Sequence, residues 1–314
     1  MCCSLPGRPA RPDPREVGRI VAEERNDRRQ AVGPGRGDWG TVATPSAATQ
    51  PLARGATTVE LSVIIPAYNE AAVIGETLNR VVAWLRARGD AELLVVDDGS
   101  TDATASIVEA YAEQCPGVRL VRNPGNRGKG YAIRNGVAHA RGEYVLYTDA
   151  DLVYPIEGVA PFLAALRAGA DLAIGSRSHA GTLFALHPRH FSYIYQRYLV
   201  GRAYIAIVNR LLKLGVSDTQ CGFKVLRGEV ARDLFPRLRL DDFAFDVELL
   251  YVARQRGYRI VELPVYFLYL GEQSSVELVR DSLRMLRDLW RIRQNGRRGV
   301  YLQEPVGTRA TVAR

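Results

Sequence analysis

The fold is decided by the stretch LSVIIPAYNEAAVIGETLNRVVAWLRARGDAELLVVDD, residues 61–98 of the 314-residue chain. It contains a short apolar run closed by a proline, a longer segment with apolar residues at helical spacing, and a second apolar run. Buried parallel strands are typically short apolar runs, and the helical segment ends on Gly89, a residue that commonly terminates helices. The stretch therefore predicts a strand, a helix and a second strand, the repeating unit of a parallel sheet.

The same alternation continues downstream. Further strands are predicted at VRLVRN, EYVLYTDAD and DLAIGSR, and further helices at STDATASIVEAYAEQ, KGYAIRNGVAHARG and residues 156–168. Strands separated by helices of this length predict an α/β fold with a parallel sheet that binds ligands at the carboxyl ends of its strands.

Polar residues follow each of the first five predicted strands. The clusters are Pro66 to Glu70, Asp97 to Ser100, Asn126 to Gly130, Asp149 to Asp151, and Gly175 to Arg177. One such cluster alone would mean little, because capping residues, glycine turns and solvated charges are common in loops. Since the carboxyl ends of parallel strands share one edge of the sheet, the five clusters together predict a binding site at that edge.

Two carboxylates stand out among these residues. Asp149 and Asp151 flank a single alanine directly after the apolar run YVLY. Two like charges in close reach repel each other unless a cation lies between them. Mg²⁺ and Mn²⁺ prefer oxygen ligands and commonly bridge a carboxylate to substrate phosphates. The pair therefore predicts a Mg²⁺ or Mn²⁺ site that holds a nucleotide diphosphate.

Other classes of nucleotide-binding protein lack their motifs here. A dinucleotide oxidoreductase needs a glycine-rich turn after its first strand, where this chain has IPAYNE, and the P-loop motif GxxxxGK[ST] does not occur. The net charge of +8 suits nucleic acid, anionic lipid or a phosphorylated ligand. Zinc-finger spacings and RNA-binding aromatic motifs are missing, so nucleic acid is not expected as a partner.

The chain ends and the cysteines bear on location. Residues 1–57 are rich in Pro, Gly, Ala and Arg, which predicts a disordered tail. Neither a signal peptide nor an apolar run of membrane-spanning length is found. The four cysteines show neither a disulfide framework nor a zinc-ligand spacing, so a reducing cytoplasm is expected. We predict one catalytic domain over residues 58–273 and a basic amphipathic helix and tail over 274–314.

The motifs SVIIPAYNE, VVDDGSTD, NRGKGYAIRNG, TDADL and GSR together resemble the family 2 GT-A glycosyltransferases. The later stretches SDTQCGFKV and DDFAFDVELLYVARQRGYRIVELPV resemble the branch of dolichyl-phosphate β-glucosyltransferases and their prokaryotic polyprenyl-phosphate relatives. The resemblance runs from about Leu61 to the C-terminal helix and implies a single GT-A domain, which is Rossmann-like, with a mostly parallel sheet and flanking helices. The QxxRW element of processive synthases is absent, so transfer of a single sugar is expected.

The resemblance also implies roles for matching residues. Asp149 and Asp151 would form the DxD metal site and act in catalysis together with Arg177, which would face the diphosphate. The residues implied for nucleotide-sugar binding are Pro66, Tyr68, Glu70, Asp97, Asp98, Arg127, Lys129 and Asp149. The residues implied for the acceptor side are Gln220, Cys221, Gly222, Lys224 and Asp246, the last also as a catalytic candidate.

The implied activity is inverting, metal-dependent transfer of one sugar, with glucose from UDP-glucose as the leading donor and a polyprenyl phosphate as the acceptor. There are three alternatives: a donor with another nucleotide sugar such as GDP-mannose, a soluble acceptor, and a protein that binds nucleotide sugars without catalysis. The intact DxD, GSR and FDVE elements argue against the last. Because a phosphate acceptor is already anionic at neutral pH, a strong base is not required, and Asp246 is expected to orient the acceptor or a cation.

Two basic amphipathic stretches predict peripheral contact with the inner, cytoplasmic face of an anionic membrane. Residues 187–215 interleave arginines with Tyr193, Tyr195, Tyr198, Tyr204, Ile205 and Leu211. Residues 276–298 place Val276, Val279, Leu283, Leu286 and Trp290 along one predicted face. Such helices lie well in a headgroup interface. For the second stretch, an ordinary helix packed on the domain with solvated arginines is an equal alternative.

Overall fold

The computed structural model of the chain describes residues 59–269 and 278–303, with residues 278–283 described by their backbone alone. The predicted disordered tail of residues 1–57 lies outside the described residues, and so do residues 270–277 and 304–314.

Strands and helices alternate along the described residues. The strands are β1 (Leu61–Ala67), β2 (Ala91–Asp97), β3 (Val118–Arg122), β4 (Tyr144–Tyr147), β5 (Leu172–Ser176), β6 (Leu183–Leu186), β7 (Lys224–Arg227), β8 (Ile260–Pro264) and β9 (Tyr266–Tyr269). The helices are α1 (Ile74–Arg88), α2 (Thr104–Gln114), α3 (Lys129–His139), α4 (Ala160–Arg167), α5 (Phe191–Leu212), α6 (Gly228–Leu234), α7 (Phe245–Gln255) and α8 (Leu278–Arg297). Short 3₁₀ segments at Ile156–Val159 and Pro188–His190 lead into α4 and α5, and a third at Phe235–Arg237 follows α6.

Seven strands form one sheet in the order β3-β2-β1-β4-β7-β5-β8. β7 is antiparallel to both of its neighbours, and the other neighbouring strands run parallel. β6 and β9 pair in parallel as a separate two-stranded sheet. The predicted α/β class with a mostly parallel sheet is confirmed, whereas the antiparallel β7 and the small second sheet were not predicted.

The central strands are buried on both faces because helices cover both sides of the sheet. Ile64 and Val145 point into a core shared with α3, α5, α6, α7 and α8. Val63 and Leu146 point into a second core shared with α1, α2 and α4. A strand buried on both faces reads as a continuous apolar run, which is why these strands could be found from the sequence.

The predicted end of the first helix is confirmed. Gly89 has a φ of 82°, in the left-handed region that glycine adopts at little cost, and its N–H donates to the Leu85 carbonyl at 2.8 Å. The chain then turns directly into β2, whose carboxyl end carries Asp97.

The first basic stretch forms α5, which is packed at one end and exposed at the other. Tyr204 and Val208 are buried in the core, which corrects the prediction of Tyr204 as an interfacial residue. Ile205 and Leu211 are only half-exposed. The large exposed side chains of α5 are Phe191, Tyr193, Tyr195, Tyr198, Leu199, Val200 and Ile207.

The second basic stretch forms α8, which packs on the domain through Met285, Leu289 and Ile292. Leu286 and Trp290, predicted on one apolar face, are exposed beside that packed face, with Trp290 60% exposed. Across residues 59–269 and 278–303, no helix combines the length and the apolar character that crossing a membrane requires.

Candidate active site

The loops after β1 to β5 meet at one edge of the sheet, as the sequence predicts, because these five strands all point the same way. The loop after β1 is fastened to the loop after β2. The Asn69 N–H donates to the Ser100 hydroxyl at 2.9 Å, and the Asn69 side-chain oxygen accepts from the Thr101 N–H at 2.8 Å. Pro66 at the end of β1 is half-buried, and Tyr68 is 43% exposed. An exposed ring at this position can stack on a nucleotide base.

The loop after β2 in turn holds the loop after β3 through Asp98. The Asp98 carboxylate accepts from the Asn123 amide at 2.6 Å, from the Arg127 N–H at 3.1 Å and from the Gly128 N–H at 2.7 Å. Asp97 accepts from the Ser100 N–H at 3.1 Å, and both carboxylates are buried. A carboxylate has about four acceptor positions. The contact of Asp98 with the base stays a prediction; in this conformation its oxygens hold the loop after β3 in place.

The next contact along the rim joins α3 to the loop after β4. Lys129 is the first residue of α3, and its ammonium group donates to one oxygen of Asp149 at 2.5 Å. Although burial lowers the pKa of Lys129, the carboxylates of Asp149 and Asp246 raise it, with a net upward shift, so the ammonium group stays charged. The second Asp149 oxygen lies over Gly222, where a β-carbon would be only 2.0 Å from it. Lys129 thus holds one Asp149 oxygen, and the missing side chain of Gly222 leaves room for the other.

Asp151 lies within the tight turn that follows β4, which the Leu152 N–H closes by donating to the Asp149 carbonyl at 3.2 Å. The Ala150 carbonyl accepts a hydrogen bond from the Thr77 hydroxyl of α1, and the buried Leu152 has a φ of 47°. Asp151 is exposed and accepts from the Val153 N–H at 3.3 Å. Burial, and then the charges of Asp151 and Asp149, raise the pKa of Glu70. Negative charge is therefore concentrated where these three carboxylates lie.

This arrangement fits a divalent cation that takes some of its ligands from the protein and the others from a substrate. Among the described residues, no group of three or more His, Cys, Asp or Glu side chains is placed to hold a metal by itself. Mg²⁺ is commonly bound by one or two protein carboxylates together with substrate phosphates. The Asp149 and Asp151 oxygens supply such a pair, and Gly222 keeps the space beside Asp149 clear of a side chain.

Arg177 pairs with a residue that the sequence analysis missed. Its guanidinium group donates to both oxygens of Asp218, at 2.6 and 2.9 Å, and its backbone N–H donates at 3.1 Å. Burial alone would raise the pKa of Asp218, but Arg177 lowers it. The Arg177 side chain is still 38% exposed, so the remaining N–H groups can meet a ligand. Asp218 stands inside the quoted motif SDTQCGFKV, but nothing in its spacing marks it as the partner of Arg177.

The residues predicted for the acceptor side are mostly buried. The Lys224 side chain has no exposed surface, and its ammonium group donates to Asp246 at 2.6 Å and to the Cys221 carbonyl at 2.6 Å. Asp246 also accepts from the Tyr147 hydroxyl at 2.7 Å. Burial, and then the nearby Asp218, raise the pKa of the Cys221 thiol to about 12.

The acceptor site stays a prediction, and these burials limit which of its residues are accessible. Asp246, Lys224 and Cys221 cannot touch an acceptor in this conformation, because the first two form a buried ion pair and the third is a fully buried neutral thiol. Their observed contacts instead fasten the start of β7 and the Cys221–Gly222 segment just before it. Gln220 remains half-buried, and its backbone N–H donates to Asp218 at 3.0 Å.

Comparison with known proteins agrees with this architecture. The family model described as "Glycosyl transferase family 2" matches residues 62–235. A dolichyl-phosphate beta-glucosyltransferase of Dictyostelium discoideum is 34% identical over 77% of this chain and 76% of that protein. The enzyme of the same name from Saccharomyces cerevisiae is 32% identical over 77% and 76%.

Among solved structures, a glucosyl-3-phosphoglycerate synthase of Mycobacterium tuberculosis is similar with a TM-score of 0.56 and 22% identity, over 75% of this chain and 81% of that one. A complex of that synthase with Mn²⁺ and UDP-glucose has a TM-score of 0.52 and 23% identity, over 73% and 78%. At this identity the likeness establishes the fold. Together with the family model and the relatives, it confirms the predicted GT-A fold and enzyme class: the chain belongs to glycosyl transferase family 2.

Proposed function

We propose that this protein transfers a single glucose from UDP-glucose to a polyprenyl phosphate of the dolichyl type, with inversion at the anomeric carbon and with a divalent cation. One observation carries the proposal: the Asp149–Ala150–Asp151 turn lies at the same sheet edge as Arg177. It does so in a chain that aligns with about three quarters of the length of relatives named dolichyl-phosphate beta-glucosyltransferase.

The donor side follows from the charges at the rim. Sugar transfer breaks the bond from the anomeric carbon to the β-phosphate oxygen and leaves negative charge on the diphosphate. Asp149 and Asp151 would hold Mg²⁺ or Mn²⁺, which supplies positive charge to that leaving group. Arg177 keeps exposed N–H groups while Asp218 fixes its direction, so it can meet the same charge without reorganising.

We infer a phosphate acceptor because the described residues predicted for the acceptor side include no carboxylate that is accessible to act as a base. Asp246 is engaged by Lys224 and Tyr147 and is nearly fully buried, so it is poorly placed to take a proton from an acceptor. A phosphate monoester needs no such base, because its second ionisation lies near pH 6 and its oxygen is already an anion. In-line attack by that oxygen on an α-linked donor gives a β-linked product.

A lipid acceptor implies that the protein contacts a membrane, and the exposed side chains of α5 are suited to that contact. Its N-terminal half exposes Phe191 at 62% and Tyr195 at 51%, and the adjacent strand β6 exposes Leu183 at 63%. Aromatic and aliphatic side chains of this kind settle at the headgroup boundary, with arginines reaching the anionic lipid. Arg197, Arg202 and Arg210 lie on the same helix. We propose that this surface rests peripherally on the cytoplasmic face of the membrane.

A donor and acceptor panel tests the function. Purified protein is incubated with labelled UDP-glucose or GDP-mannose, with Mg²⁺ or Mn²⁺, and with either a polyprenyl phosphate or a water-soluble phosphorylated acceptor. We expect organic-phase label from UDP-glucose with the lipid, and loss of that label when EDTA is present. Label that appears only from GDP-mannose, or only in a soluble product, would replace the proposed donor or acceptor.

The membrane contact is tested by changing Arg197, Arg202 and Arg210 to glutamine. Each basic residue near an anionic surface contributes about 1 kcal/mol, so the triple variant should bind anionic vesicles about 100-fold more weakly. Wild-type binding should also weaken as salt rises, since screening limits the attraction to about 8 Å at physiological ionic strength. Co-sedimentation across a salt series measures both effects.

A matched control removes the same charge elsewhere, through glutamine at the exposed Arg86, Arg232 and Arg239. This control should sediment like wild type. If both triple variants are released equally, the effect is one of net charge, and α5 is not the contact surface.

A further inference from the structure

The ammonium group of Lys129 contacts Asp149, the carboxylate at which the divalent cation of the proposed function would bind. It donates to one Asp149 oxygen at 2.5 Å, and only 20% of the Lys129 side chain is exposed. Asp149 is one of the two carboxylates that would hold the divalent cation. Lys129 therefore neutralises one of those carboxylates in this conformation.

The backbone of Lys129 has little freedom to withdraw. Gly128 has a φ of 99°, and a β-carbon there would lie 2.6 Å from the Asp241 carbonyl oxygen. A β-carbon on Gly130 would lie 2.7 Å from Phe245, and the Gly130 N–H donates to Asp241 at 2.6 Å. The start of α3 is thus pressed against the segment that leads into α7. Only the side chain of Lys129 can move.

Asp149 is equally constrained. Its second oxygen is only 2.0 Å from the position of a Gly222 β-carbon, so rotation of the carboxylate towards that side meets the backbone of Gly222.

We propose that Lys129 is a built-in counter-ion that competes with the divalent cation for Asp149, so that the metal binds tightly only together with the nucleotide diphosphate. The proposal rests on the metal site of the proposed function. When the diphosphate is present, its negative charge gives the displaced ammonium group a new partner, and Asp149 becomes available to the cation. Without the diphosphate, a divalent ion must displace Lys129 with no such compensation.

Mn²⁺ binding measured by electron paramagnetic resonance tests this, because bound Mn²⁺ loses the signal of the free ion. Lys129→Met removes the competing charge and nearly preserves the volume of the side chain. Without nucleotide, we expect the variant to bind Mn²⁺ at least tenfold more tightly than wild type, which corresponds to about 1.4 kcal/mol. UDP should strengthen Mn²⁺ binding more in wild type than in the variant. Lys129→Gln, which keeps a polar group, should show the same direction if the methionine variant fails to fold.

Two further variants make the result specific. Asp149→Asn should abolish the tight site in either background, which identifies the ion as the one bound at Asp149. Lys213→Met removes an exposed positive charge at the end of α5 and should bind Mn²⁺ like wild type. Neither donor sugar nor lipid is needed, and the nucleotide arm is run with GDP as well as UDP, so an error in the proposed substrates does not decide the result.

The proposal is overturned if both Lys129 variants, folded as judged by circular dichroism, bind Mn²⁺ no more tightly than wild type without nucleotide. It is also overturned if UDP strengthens Mn²⁺ binding equally in wild type and in the variants.

Discussion

Changing Gly222 to alanine should disable the candidate metal site with little effect on the rest of the fold. Gly222 stands two residues before β7, and a β-carbon there would lie 2.0 Å from one oxygen of Asp149. Ordinary van der Waals contact begins at 3.4 Å, so the carboxylate would have to shift by about 1.4 Å. The other Asp149 oxygen is bound to Lys129, so the shift would also break or stretch that contact.

The expected size of the effect follows from that displacement. A misplacement of about 1 Å in a catalytic arrangement can cost about 100-fold in rate, which is about 2.7 kcal/mol of activation free energy. Overpacking at a buried position typically costs about 1–3 kcal/mol of folding stability. Gly222→Ala should therefore remain folded, bind Mn²⁺ more weakly in the presence of UDP, and turn over about 100-fold more slowly.

The assay combines turnover, Mn²⁺ binding and thermal unfolding, with Gly158→Ala as the matched control. Gly158 lies in the 3₁₀ segment before α4, and a β-carbon there meets nothing within 4 Å. The control should behave like wild type in all three measurements. Wild-type turnover and Mn²⁺ affinity in folded Gly222→Ala would refute the reasoning, because Asp149 would then not be held where the site requires it.

Three further variants test other contacts. Asp151→Asn keeps the volume of the side chain and removes its charge, so it should abolish metal-dependent turnover at an unchanged melting temperature; activity equal to wild type in Mg²⁺ or Mn²⁺ would show that Asp151 is not a ligand. Lys224→Met leaves the Asp246 charge buried without its partner and should cost about 3–5 kcal/mol in urea unfolding; a cost below 1 kcal/mol would mean that the pair is not intact. Because Arg177 lowers the pKa of Asp218 in the folded state, the stability that Asp218 provides is present at neutral pH and is lost as pH falls below about 4, the unfolded value. Asp218→Asn should be less stable than wild type at neutral pH, and its free energy of unfolding should fall less as the pH is lowered. If the free energy of unfolding, measured with urea, falls equally for variant and wild type from pH 5 to 3, the result argues against the pairing.

The sheet could be predicted from the sequence wherever burial is local. β1, β2 and β4 are apolar runs because helices cover both of their faces, and each is followed by polar residues at the binding edge. β7 escaped prediction because the four residues KVLR carry a lysine and an arginine. The lysine is buried only because Asp246, 22 positions along the chain, lies opposite it. Such a pairing has no signature in local spacing.

The sequence predicts which residues lie at the binding edge of the sheet, but only part of the contacts that these residues make. Asp149 and Asp151 could be identified from two carboxylates beside one strand end, whereas the hydrogen bonds that engage Asp98 within the rim depend on a loop some 30 residues away. Helical spacing also could not decide which of two faces of α5 packs on the domain. It could not show that Tyr204 packs on the core while Tyr193 and Tyr195 lie on the exposed surface, because periodicity does not say which face meets the domain.

The structure of the product formed from UDP-glucose and a polyprenyl phosphate tests the central claim most directly. After incubation with Mn²⁺, the lipid fraction is examined by mass spectrometry and by proton and phosphorus NMR. We predict one glucose per lipid, joined by a β-linked phosphodiester, and no such product with Asp151→Asn. An α-linked product, a chain of several sugars, or glucose found only in the aqueous phase would contradict the account.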